Sequence, residues 1–201
     1  MNNNLLIIGA GDYGQIAYEI AESMERFDKI DFLDDNSDLA IGKIREIEKY
    51  YANDYSFGIV AMGDPESRYM LTRTLKENCF HVPVLIHPKA HVGKYASLKM
   101  GCIVEPMAVV HSGANVGPCT LISSGAVVNH STLIEGYCHV DIGGLVSARS
   151  VMPRFTKVNP GEVYSAMKFQ IQPESKKASD QDFIREYIKM YGREPNLFDG
   201  V

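Results

Sequence analysis

From Ile86 onward, every sixth residue of this chain is apolar. The positions are Ile86, Val92, Leu98, Val104, Val110, Val116, Ile122, Val128, Ile134, Val140, Val146, Met152 and Val158, with Tyr164 at the end. Four residues after each stands a small one, such as Ala90, Ala96, Cys102, Ala108, Ala114, Thr120, Ala126, Thr132 and Cys138. A period of six fits neither an amphipathic helix nor a two-sided strand. It is the period of hexapeptide solenoids, in which one hexad makes a short strand and a turn, and three hexads close a triangular coil of about 18 residues. The large residue fills the prism and the small one eases the corner. Such coils stack only on their neighbours, so other parts of the chain must cover the faces and ends.

The residues before the repeat supply one such part. Leu5–Ile8 reads as a buried strand, followed by Gly9-Ala10-Gly11-Asp12-Tyr13-Gly14 and a helical run from Gln15 to about Arg26. Further strands are expected at Ile30–Leu33, Phe57–Met62 and Val82–Leu85, with a helix opening at Gly63-Asp64-Pro65-Glu66 and carrying Arg68 in its first turns. This order predicts a small parallel sheet. The glycine spacing G-x-G-x-x-G lies between strand and helix, where backbone N–H groups can face a phosphate. Asp34 follows Gly14 at the distance from which an acidic residue reaches a ribose hydroxyl. Too few residues precede the repeat for a full dinucleotide fold, so half a Rossmann unit is expected, suited to a mononucleotide or a nucleotide-sugar. The division is residues 1–85 for this α/β domain, 86–165 for the parallel β-helix, and 166–201 for a tail. Within the tail, Ser179-Asp180-Gln181-Asp182 resembles a capping box opening one helix to about Tyr191.

Charge and cysteine content narrow the partners. The formal net charge is −5 and no basic cluster stands out, which argues against nucleic acid. No apolar run approaches the roughly 20 residues of a membrane span, and the start lacks a basic signal region, so a cytoplasmic protein without a membrane partner is expected. None of Cys79, Cys102, Cys119 and Cys138 forms a C-x-x-C pair, so buried free thiols are expected and no metal. His111 and His130 are nineteen residues apart rather than a coil length of eighteen, and this argues further against a zinc site.

The order of parts resembles the bacterial nucleotide-sugar acetyltransferases, including the UDP-N-acetylbacillosamine N-acetyltransferase and sialic acid O-acetyltransferase group. The residues that carry the resemblance are Ile8 to Gly14, Phe32-Leu33-Asp34-Asp35, Met62-Gly63-Asp64 with Arg68, Leu85-Ile86-His87-Pro88, and Val127-Val128-Asn129-His130 through His139-Val140. The resemblance implies a left-handed β-helix, assembly as homotrimers with sites between subunits, and acetyl transfer from acetyl-CoA to an amino group of a nucleotide-linked amino sugar in surface glycan synthesis. Sugar O-acetylation and non-catalytic nucleotide-sugar binding are the alternatives. By match, Gly11, Asp12, Tyr13, Asp34, Asp35, Gly63 and Asp64 line the nucleotide-sugar site, His130 is the general base, and His139 with Gly143 lies at the acetyl-CoA site. Two departures stand out. Ser131 replaces the carboxylate that the family carries after its base, and fewer coils follow it. The hexad register predicts an outward strand position for His130, two residues beyond the inward Val128.

Overall fold

The computed structural model describes residues 2–51 and 54–166. Fourteen two-residue strands follow one another from Leu85–Ile86 to Val163–Tyr164. Each ends on one of the period-six apolar residues, so the register read from sequence is the register of the prism. Strands eighteen residues apart pair in parallel, as in Val109↔Val127↔Leu145. Three sheets result, one per face of a left-handed parallel β-helix. Inside, Val104, Val110, Val116, Ile122, Val128, Ile134 and Val140 form one stack with the small Ala108, Ala114, Ala126 and Cys138, all fully or almost fully buried. Burial of such side chains favours the coil by about 25 cal/mol per Å² of apolar surface.

The corners hold a less expected regularity. From residue 101 to 161, every sixth residue has a left-handed backbone, and six of these are not glycine: Met107, Cys119, Ser131, Tyr137, Arg149 and Phe155. Each costs roughly 1–2 kcal/mol relative to ordinary backbone, so the stacked turns impose this conformation on whatever residue is present.

In the N-terminal domain, β1 (Asn4–Ile8), β2 (Lys29–Leu33), β3 (Ala40–Gly42) and β4 (Phe57–Val60) form a parallel sheet in the order β3-β2-β1-β4. Helix α1 (Asp12–Ser23) lies on one side of it and α2 (Pro65–Glu77) on the other. Alternation along β1 divides its side chains. Leu5 and Ile7 join Ala17, Ile20 and Ala21 of α1, whereas Leu6 and Ile8 join Leu75 of α2. Helix α1 begins and ends three residues before the expected Gln15 and Arg26, β4 stops at Val60 rather than Met62, and two further differences concern the sheet. The strand expected at Val82–Leu85 is Leu85–Ile86, and it pairs with Ile103–Val104 in the prism rather than with the domain sheet. The fourth sheet position is taken by the short β3, whose Ala40-Ile41-Gly42 is too brief to signal a strand by alternation. The tail helix expected after Ser179 lies outside the described residues.

The prism's three faces have different surroundings. One face presents Leu85, Ile103, Leu121, His139 and Lys157 outward, and its first three pack in one core with α1. This is the docked face. A second presents His91, Val109, Val127, Leu145 and Val163. Val163 there is 61% exposed, and this is the apolar face. The third begins with Ser97 and Asn115.

Candidate active site

The glycine turn is built as its spacing requires. Gly9 has φ +104°, a conformation favouring glycine, and a side chain on Gly14 would lie 2.1 Å from the Gly9 carbonyl oxygen. The middle glycine differs. Gly11 caps α1 with φ −75°, and a Cβ there would meet no atom within 4 Å. The helix N-terminus is therefore open on the side of Gly11, where N–H groups and the helix dipole favour an anion. Asp12 is exposed beside it.

The acidic residues assigned to the nucleotide site are already engaged with backbone. One Asp34 oxygen accepts the Ala10 N–H at 2.8 Å and the other accepts the Asn36 N–H at 2.8 Å. Those bonds hold its carboxyl below the usual range. Asp34 thus braces the glycine turn. Asp35 accepts from the Ile44 N–H. Asp64 caps α2 by accepting the Ser67 N–H at 2.7 Å. Gly63 lies against the Tyr13 ring, 3.2 Å from where a Cβ would stand.

Tyr13 leads from this turn to the prism. Its hydroxyl lies 3.1 Å from His139 Nε2, which is also 3.0 Å from Ser123 Oγ. The two rings meet edge-on with centroids 5.5 Å apart. Burial pushes the His139 pKa down to about 4. The Asp141 carboxylate, 3.7 Å from Nε2, does not offset that burial, so at neutral pH the imidazole is uncharged and the contact is not an ion pair. Asp141 instead pairs with Lys157 at 2.9 Å. Burial, then the charges of Asp141 and Glu105, raise the Tyr13 pKa and keep it a phenol. Gly143 sits at the adjacent corner with φ +64° and no crowding around its Cα.

One side chain fastens the two domains. Arg68 has no exposed surface. Its guanidinium donates to the carbonyls of Met62 and Gly63 in the α/β domain and of Cys119, Tyr137 and Cys138 in the prism, at 2.8–3.1 Å. All five donors of an Arg are thereby used. Thr72, one turn further along α2, lies 3.3 Å from Cys119 Sγ. The seam beside Tyr13 and His139 is therefore fixed.

His130 is not in this seam. It is exposed, in the turn after Val127–Val128, rather than on an outward strand position. The strands are only two residues long, so a residue two places beyond Val128 has already entered the corner. Its N–H donates to Asn129 Oδ1 at 2.7 Å, and its ring Nδ1 is 3.4 Å from Ser131 Oγ. That corner joins the apolar face to the third face. In a triangular prism it is the corner opposite the docked face, so His130 and His139 of one chain lie on opposite sides of the coil.

Sequence reading missed Ser123, Asp141, Glu105 and the role of Arg68. Glu105, Ser123 and Asp141 are eighteen residues apart, each immediately after an inward residue. Stepping by a whole coil rather than a hexad would have aligned them. For Arg68 the signal was its spacing with Thr72 and Leu75, the other buried residues of α2. The thiols are free as expected; Cys102, Cys119 and Cys138 are buried, but Cys79 is exposed. Among the described residues no group of three or more His, Cys, Asp or Glu could hold a metal ion, and no helix is long and apolar enough to cross a membrane.

Together these elements define a hexapeptide-repeat protein with a half-Rossmann domain seated on one prism face. Residues 4–75 match the PglD N-terminal domain family. The acetyltransferase domain of PglB from Neisseria gonorrhoeae FA1090 is 26% identical, with a TM-score of 0.72 over 82% of this chain and 92% of that one. The same domain in complex with acetyl coenzyme A is 25% identical, with a TM-score of 0.71 over 80% and 90%. PerB from Caulobacter crescentus, in complex with CoA and GDP-perosamine, shares the fold at 20% identity, with a TM-score of 0.66 over 81% and 88%. No curated protein matches the chain. The chain is thus similar to the PglD N-terminal domain over residues 4–75 and, over most of its length, to hexapeptide-repeat acetyltransferase domains.

Proposed function

We propose that the protein transfers an acetyl group from acetyl-CoA to an amino group on a nucleotide-linked sugar, at sites completed between copies of a homotrimer. The observation that carries this reading is the open glycine turn joined through Tyr13 to His139, on a chain whose relatives include an acetyl-CoA-bound acetyltransferase domain. Gly11 and the first turn of α1 would take the diphosphate, with Asp12, Asp35 and Asp64 on the rim and Asp34 holding the turn. The chemistry of the neighbouring corner fits an extended thioester arm. Gly125, Gly143 and Gly161 stack there eighteen residues apart, and a Cβ on any of them would meet nothing closer than 4.0 Å.

The acyl group arrives already activated as a thioester, so this chain needs no covalent intermediate of its own. Holding the acceptor nitrogen at attack distance supplies much of the acceleration. His130 takes the proton that the amine loses as the C–N bond forms and the C–S bond breaks. Because His130 lies opposite the docked face, its partner site is that of a neighbouring copy. The apolar face supports such an assembly. Val109, Val127, Leu145 and Val163 form an aliphatic column beside the His130 corner, and repetition about a threefold axis would bury it.

Nucleotide-sugar binding without turnover is the second reading, favoured by Ser131 in place of a carboxylate. An acetylation assay with acetyl-CoA and a panel of UDP-, dTDP- and GDP-linked amino sugars separates the two. Free thiol released in step with amide formation on one donor–acceptor pair is the expected result. Binding of a panel member with no thiol release leaves the second reading standing.

A further inference from the structure

Tyr13, Ser123 and His139 form a triangle of polar atoms centred on one imidazole nitrogen. The phenol and the serine hydroxyl each lie within hydrogen-bond distance of the same imidazole nitrogen, at 3.1 and 3.0 Å. A neutral ring nitrogen has one bonding position in its plane, as donor or as acceptor. Nε2 therefore serves the two hydroxyls through one shared arrangement, and moving one vertex rearranges the others. His139 is buried, where an unpaired polar atom is costly, so the three groups move together. The vertices also come from different places. Tyr13 is in the first turn of α1, two residues after the open Gly11, whereas Ser123 and His139 belong to the docked face. Arg68 prevents the domains from absorbing a shift by sliding, because it binds carbonyls on both sides of the seam.

We propose that Tyr13 is a positioning residue that couples the two substrate sites, so that an anion seated at the glycine turn orders the triangle and tightens binding at His139, and the reverse. The proposal rests on the functional reading above. Coupling of this kind is reciprocal, since each ligand must change the other's affinity by the same factor.

Calorimetry on the full-length protein tests it, with coenzyme A as the unreactive donor probe and UDP, dTDP and GDP as diphosphate probes. In the wild type, coenzyme A should bind about five-fold or more tightly once the best of the three nucleotides is saturating, and the nucleotide should gain equally. In Tyr13→Phe the edge-on ring contact is kept and only the hydroxyl is lost. The factor, which compares each ligand's affinity with and without the other and so is independent of any change in either affinity alone, should then fall to within about two-fold of one. Ser123→Ala removes a second vertex and should lower the factor likewise. If wild type binds both ligands independently, or Tyr13→Phe keeps the full factor, the proposal is overturned. If wild type binds neither probe, the functional reading falls and takes the proposal with it.

Discussion

At the seam, His139 is enclosed by groups of its own chain: Tyr13 from the α/β domain, Ser123 from the coil beneath, and the Asp141 carboxylate nearby. At the opposite corner, His130 is exposed and has Ser131 as its ring's neighbour. The same fold produces both settings. Docking a domain on one face buries a neutral imidazole, whereas the corner between the apolar face and the third face is left exposed. Under the proposed function, the exposed corner suits a base, which needs access to its substrate, and the enclosed seam suits a positioning group, which needs rigidity.

The largest effect is expected at the open corner. His130→Ala should lower kcat by about 10²–10⁴-fold, with acetyl-CoA and nucleotide-sugar affinities little changed. The comparison adds a stricter test. If His130 works with the seam of a neighbouring copy, mixing His130→Ala with a His139→Ala variant and reassembling should restore about a quarter of the sites. No recovery from mixed trimers, measured against each variant alone, would break the assignment of His130 and His139 to different chains.

The next effect belongs to the seam. Folded His139 titrates near 4, against about 6.5 in the unfolded chain. The folded state therefore resists the proton that the unfolded state accepts. This contribution is complete above pH of about 6.5 and is lost as pH falls toward about 4, amounting to roughly 3 kcal/mol. Denaturant titrations across that window should show a shallower decline for His139→Gln than for wild type. Equal slopes would mean that the ring is solvated and the seam is not closed.

A smaller effect is expected at the glycine turn. Gly11→Val places its side chain where nothing stands within 4 Å and at a φ that valine adopts, so the fold should survive. Affinity for a nucleoside diphosphate should fall by about 10-fold or more, near 1.4 kcal/mol, while coenzyme A affinity holds. Unchanged nucleotide binding in calorimetry would reduce the turn to a structural device.

Sequence alone determined the prism. The phase of Ile86, Val92, Leu98 and their successors reappears as the phase of fourteen strands, because a solenoid's core depends on local repetition and each coil meets only its neighbours. The glycine turn was legible for the same reason, since Gly9 and Gly14 answer local demands of backbone conformation and close approach. What only the tertiary structure decided depends on contacts between distant segments. Arg68 reads as an ordinary helical residue until its guanidinium is seen bound to carbonyls fifty to seventy residues away. That Asp34 braces the glycine turn and Asp64 caps a helix is likewise seen only once their backbone partners appear. The placement of His130 and His139 on opposite sides of the coil follows from how hexads wrap into three faces. The two stand nine positions apart in the linear chain, and only the wrapping of the intervening residues around the prism turns that short interval into opposite surfaces.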